Sequence, residues 1–412
     1  MLPKTESVAI TGIGIVSPLG QSYASVGEAL YGGRSGIGPI SKFDTSKHKA
    51  KTAGEVRGFS IGAFSDNEKF LRMPVYLQYA IAASIDAIKE SGLDFATDQK
   101  SAEKTGIFFG TTSGPLSLIE RVIDSLLEKG PMAVEPFLFQ ETVFNAPASY
   151  ISIINKIRGP VYAFPMSFNA GLCALECACR QLGNKRIDHA IIGTCNEYTE
   201  LLHRSFLALN VLSPRNGGGE RFCPYDKKRN GYTMAEGACF LTAEPLDRAV
   251  ARGAPVHGII KAIASAQDTC GAGKSDQSGK GAAFAMKKCL DAANCSYRDI
   301  DFLVSMATSS GEDTIEEKAV HAVFKERSVV VPVVSILSYS GLMMDMGIPN
   351  VIGALLCLEK GVLPPLFDSG ERDLSCSLNL TSEFLKGSWK RALVNSYGWG
   401  GHYTSAIIEK AG

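Results

Sequence analysis

The chain has 412 residues, 45% hydrophobic and 20% charged, the composition of a globular protein long enough for two domains or one large duplicated one. Lys+Arg and Asp+Glu both number 42, and a formal net charge of zero gives no reason to expect nucleic-acid or anionic-membrane binding. The eleven cysteines form no CxxC pair and no zinc spacing, so they read as buried thiols of a reducing cytosol, not disulfides or metal ligands.

The opening MLPKTESVAITGIG carries no charged-then-apolar leader and runs directly into a strand. Ser7–Ile15 reads as a buried strand leading to a glycine turn and Pro18–Leu19–Gly20. Its GxG lacks the third glycine of a dinucleotide fingerprint and reads as a bare turn. Tyr23–Tyr31 is a short helix, 32–51 a loop, and Val75–Ser91 an amphipathic helix ended by Gly92. A strand at Lys104–Thr111 and a helix at Leu116–Lys129 follow. Pro136–Asn145 is aromatic-rich, and reads by default as core, or else as the lining of an interface or an apolar tunnel. Ala148–Lys156 is a helix and Gly159–Pro165 a strand.

That strand enters AFPMSFNAGLCALECACRQL, Ala163–Leu182, which reads as a strand end, a tight turn at Asn169–Ala170–Gly171, and a helix. Leu172, Leu175, Cys179 and Leu182 share one helix face. A residue at such a turn sits beside free N–H groups and the helix dipole, which lower a thiol's pKa and bind a developing oxyanion. Yet the turn offers Ser167, Phe168 and Asn169, while Cys173, Cys177 and Cys179 come later, inside the helix. The pattern is enzyme architecture around an emptied centre.

Asp188–Gly193 is a further buried strand, and 214–220 a glycine-rich surface loop. Phe222–Ile260 gives a charged turn, a strand ending near Ala243, a helix to Arg252 and a strand. Strand–helix alternation then resumes with helices Ala282–Ala293, Thr314–Phe324 and Pro349–Glu359, and strands Phe302–Met306 and Val329–Ile336. The most hydrophobic region, Val329–Leu358, is broken by Pro332, Asp345, Gly347 and Pro349, which argues against a membrane span. Strand Arg391–Asn395, a glycine turn at Gly398–Gly401 and strand Thr404–Glu409 close the chain. Two runs of alternating elements imply two stacked α/β halves, 1–255 and 256–412, although no sequence repeat is visible between them. The expectation is a soluble, cytoplasmic protein.

Four stretches resemble the β-ketoacyl synthases: VAITGIGIVSPLG at the start, CPYDKKRNGYTMAEGA in the middle, GVLPP at 361–365 and NSYGWGGHYTSAII at 395–408. They cover essentially the whole chain in the family's order. The resemblance implies an α/β thiolase fold of five layers, α-β-α-β-α, built from two similar halves, and a dimer in which the strand before the nucleophile pairs across the interface. It implies no metal and no cofactor. Working members condense malonyl carried on acyl carrier protein with an acyl group held on cysteine. They use that cysteine, two histidines that stabilise the enolate, and a supporting lysine.

None of these groups is present. Counting from Pro160, and back from Arg180, puts the nucleophile at Phe168; a one-residue slip gives Asn169. Met306 opens MATSS where the family has HGTGT and its first histidine. Leu337 and Leu342 stand where a KSxxGH-like pattern would supply the lysine and second histidine. Of the six histidines only His402 lies in a family motif, in its glycine turn. The chain therefore lacks the means for the condensation.

The family contains such a branch, the chain length factors or ketosynthase β subunits of type II polyketide synthases. The resemblance to it implies a heterodimer with a catalytic ketosynthase α subunit. It also implies contact, through that heterodimer, with acyl carrier protein bearing phosphopantetheine-linked malonyl and polyketide chains. On this reading Phe137, Leu138, Phe139, Thr142 and Phe144 cap or line the partner's tunnel and limit chain length by volume; as core residues they would do neither. Trp399, where working members have a gating Phe, fills the vacated cavity with Phe168, Met306 and Leu342, leaving no usable substrate pocket. The alternatives are a malonyl decarboxylase using Asn169 or Ser167, and an inactive homodimer that binds carrier protein as a scaffold.

Overall fold

The computed structural model describes residues 7–215, 217–271, 273–367 and 376–412. Strand β1, Val8–Val16, runs straight through the GIG segment, and the chain turns only at Ser17–Gly20. The glycines are therefore not a turn. They let helix α1, Val75–Ser91, lie directly on the strand: a Cβ at Gly12 would sit 2.0 Å from the Ala87 carbonyl oxygen, and one at Gly14 1.8 Å from that of Ala83.

The first half continues with β2 (Thr105–Thr111), α2 (Leu116–Lys129), β3 (Val161–Pro165), α3 (Ala170–Gly183), β4 (His189–Asn196) and β5 (Gly237–Pro245). Its strands lie in the order β3-β2-β4-β5-β1, with β2 parallel to β3 and β4, and β5 antiparallel to β4 and β1. The second half supplies β6 (Gly258–Gln267), α4 (Lys280–Ala293), β7 (Phe302–Val304), α5 (Glu312–Phe324), β8 (Pro332–Val334), α6 (Gly347–Lys360), β9 (Arg391–Gly398) and β10 (His402–Lys410). Here the order is β8-β7-β9-β10-β6, with the same alternation of parallel and antiparallel pairs. One topology has been built twice, without a repeat legible in the sequence.

The equivalent strands β1 and β6 pair antiparallel, Val8 opposite Ile260 and Ile10 opposite Gly258, so the two halves share a continuous sheet. Helix α1 covers the first half and α4 the second, while α3 and α6 pack on each other between the strand sets. This is the five-layered arrangement. Leu172, Leu175, Cys179 and Leu182 are all buried, and a fully buried Leu contributes about 1.5–3 kcal/mol relative to exposure.

Some expected elements move. The 32–51 loop contains a short strand, Ile37–Pro39, paired with Thr52–Gly54. Val329–Ile336 shrinks to β8, because a 3-10 turn occupies Lys325–Val329 and Pro332 has no N–H to donate. A helix at Glu200–Ala208, capped by the Thr199 hydroxyl, has no counterpart in the sequence reading. Among the described residues no helix is long and apolar enough to cross a membrane.

Candidate functional site

The turn between β3 and α3 is fixed by close backbone approach: a Cβ at Gly110 of β2 would lie 2.6 Å from the Ala170 carbonyl carbon. Asn169 is the N-cap, and its side chain makes no capping bond. Phe168 is buried, its carbonyl accepting from the Ser396 hydroxyl at 3.1 Å and the Met346 N–H at 3.0 Å. Its ring stands edge-on to Trp399, 5.1 Å between centroids, and to Tyr232 at 6.0 Å; Trp399 in turn meets Phe206 at 5.8 Å. Met306, Leu337 and Leu342 are buried in the same core. The Met306 sulfur accepts the Tyr397 N–H at 2.9 Å.

Three N–H donors around the turn are already engaged. The Ala170 N–H bonds the Ser167 carbonyl, the Gly171 N–H the Asp345 carboxylate at 2.7 Å, and the Trp399 N–H the Ser167 hydroxyl at 3.0 Å. Phe168 itself offers no nucleophilic atom, and these three donors are committed within the chain.

Asn169 is engaged as well. Its amide donates to Thr404 Oγ1 at 2.8 Å and lies 3.0 Å from His402 Nδ1, while its Oδ1 is buried without a partner. The Cys173 sulfur is 3.5 Å from the same His402 nitrogen, a neighbourhood that sequence reasoning missed because the two residues lie far apart in the chain. Burial, then the Asp345 and Glu176 charges, push the Cys173 thiol up to about 12. Burial also lowers the His402 pKa, so the pair rests as neutral thiol and neutral imidazole. Among the described residues no group of three or more His, Cys, Asp or Glu is placed to hold a metal ion.

The expectation of no usable substrate pocket concerns the centre itself, which is packed; an open cavity lies beside it. A cavity of about 920 Å³ opens above the cluster, floored by Trp399, Tyr232 and Glu312. The Trp399 indole N–H donates to the Tyr232 hydroxyl at 3.2 Å, which donates to Glu312 at 2.7 Å, and burial holds the Glu312 carboxyl above its ordinary range. Arg215, Lys227, Arg229 and Lys274 line the mouth, a local basic cluster that net neutrality conceals.

The aromatic stretch is not core. Leu138 and Thr142 are half-buried, Phe139 is 60% exposed and Phe144 40% exposed, its ring lying against Gly114. The side chain of Phe137 lies outside the described residues. Beside them Leu127 of α2 and Met132 are also exposed, as are Val161 and Tyr162 on β3, the edge strand.

A duplicated five-layer α/β scaffold whose paired central helices meet near the Phe168 turn defines a thiolase-fold protein of the ketosynthase class. The family description Beta-ketoacyl synthase, N-terminal domain, matches residues 5–249, and Beta-ketoacyl synthase, C-terminal domain, matches residues 257–369. The chain belongs to the β-ketoacyl synthase family. It is 30% identical over 410 residues to the 3-oxoacyl-[acyl-carrier-protein] synthase 2 of Vibrio cholerae, covering 98% of this chain and 99% of that one. Its fold matches that of the ishigamide ketosynthase/chain length factor with a TM-score of 0.89 at 24% identity, over 99% of this chain and 100% of the other. It matches equally, at 0.89 and 21% identity over 99% and 100%, a chain of AntDE:AntF, a type II PKS acyl-carrier protein in complex with its ketosynthase. These two likenesses are of fold.

Proposed function

We propose that this chain is a non-catalytic ketosynthase homologue, a chain length factor that pairs with a catalytic ketosynthase α subunit and shapes the tunnel in which a polyketide grows. The observation that carries this reading is the filled centre. Phe168, Met306, Leu337 and Leu342 are all apolar and buried where chemistry requires a thiolate, two imidazoles and an ammonium. A drifting enzyme loses one such group; replacement of all four inside an intact scaffold fits a fold kept for assembly.

Two surface features support a partner. Strand β3 leaves one edge of the sheet unpaired, and unpaired edges invite strand addition. Next to it Phe139, Phe144, Leu127 and Met132 expose apolar surface of the kind an interface covers. On this reading Leu138, Phe139, Thr142 and Phe144, with Phe137, meet the partner, and the basic mouth receives an acidic carrier protein. The committed state of the Asn169 amide counts against the decarboxylase alternative.

Affinity isolation of the chain from its native cell, followed by native mass spectrometry, tests this directly. A stable one-to-one complex with a second ketosynthase bearing Cys and both His is the expected result. A homodimer with no such partner overturns it.

A further inference from the structure

The loop before α6 brings a carboxylate to the end of α3. Asp345 is fully buried; its Oδ1 accepts the Gly171 N–H at 2.7 Å and its Oδ2 the Ile348 N–H at 3.2 Å, with the Gly347 N–H also directed at it. These donors belong to the first turns of α3 and α6, so one carboxylate caps both central helices. The next residue, Met346, donates its N–H to the Phe168 carbonyl at 3.0 Å, and the 345–346 segment thus clasps the vacated turn from both sides. Gly171 makes room for it: a Cβ there would lie 2.3 Å from Oδ2. Among the described residues Asp345 has no ion pair, so aligned N–H groups alone compensate its removal from water.

We propose that Asp345 is a built-in anion that disarms the end of α3, filling the seat that would otherwise stabilise a thiolate, an enolate or a substrate carboxylate at the Phe168 turn. The inference rests on the non-catalytic reading above and adds a cause to it: restoring the nucleophile alone would not restore its activation. Two native thiols already register the charge. Cys173, one turn along α3, and Cys239, on β5, are both raised by burial and then by Asp345, with Glu176 adding to the effect at Cys173.

The test places Phe168→Cys in the full chain, alone and with Asp345→Asn, and follows iodoacetamide alkylation against pH with residue-level mass spectrometry. In the single variant the introduced thiol should titrate above the ordinary thiol range. Adding Asp345→Asn should lower its pKa by about one unit or more, a gain of about tenfold in alkylation rate near neutral pH. Where Asp345→Asn fails to fold, Asp345→Ser takes its place, with near-ultraviolet circular dichroism as the check. Cys173 in the otherwise unaltered chain is the second reporter and should shift the same way. Unchanged pKa values at both thiols overturn the proposal. Partner assembly is read separately by native mass spectrometry, so the two ideas fail independently.

Discussion

The Phe168 ring stands edge-on to the Trp399 indole at an interplanar angle of 72°, so the residue just before α3 packs against the glycine-turn residue. The site is thus occupied from within. Phe168→Ala should cost about 3–5 kcal/mol, the usual range for a buried aromatic truncated to Ala. A double-mutant cycle with Trp399→Ala should return about 0.5–1.5 kcal/mol of coupling, read from denaturant unfolding. Strict additivity would mean that the two rings do not support each other.

Asp345 sets a pH signature. Burial raises its carboxyl from the ordinary 3.8 to about 6, so between these values the folded chain holds a proton that the unfolded chain gives up. The sign follows: this group's contribution is most favourable below about pH 4, declines as pH rises to about 6, and is constant above. The total decline is on the order of 3 kcal/mol by linkage. Relative to Asp345→Asn, the unaltered chain should therefore lose stability across this window. Parallel stability profiles for the two proteins would remove Asp345 as the source.

Phe139, 60% exposed, is a surface residue in the isolated chain, so Phe139→Ala should change its stability by no more than about 0.5 kcal/mol. In the heterodimer proposed above, Ala at Leu138, Phe139 or Phe144 should lengthen the product, measured by mass spectrometry of the released chains. Unchanged length in every variant would remove these residues from the tunnel.

The basic mouth predicts salt-dependent carrier-protein binding. Arg215→Glu or Lys274→Glu, both at the cavity rim, should weaken acyl carrier protein binding by about fivefold at low salt, and less at high salt. An effect insensitive to both charge and salt would place the carrier protein elsewhere.

Phe168, Met306, Leu337 and Leu342 can be singled out from the sequence because each stands at a countable distance from a neighbouring signature; the structure adds that all four are buried. The clamp cannot be singled out this way. Asp345 meets Gly171 across 174 positions, and along the chain it only interrupts a hydrophobic run. The Cys173–His402 approach likewise exists only because β10 lies beside the end of α3. The glycines of β1 were read as a turn because local sequence does not show the helix that needs their missing side chains. Glu200–Ala208 is nine residues long, too short to be stable on its propensity alone, and owes its existence to Leu202, His203 and Phe206 packing inward. The aromatic stretch is a case that sequence alone leaves undecided. Residue type leaves core and interface lining both open, and the fold decides for Phe139 and Phe144 by carrying them to the surface.

Strand β1 of the first half is closed by β6 of the second, which leaves β3 as the exposed margin on the first half's side. A cell that makes this chain in excess therefore accumulates molecules with a ready template for indiscriminate strand pairing. Its safe abundance is then set by the supply of whatever covers that margin. On the heterodimer proposed above, matched synthesis of the two chains becomes a requirement of solubility, before any question of product arises.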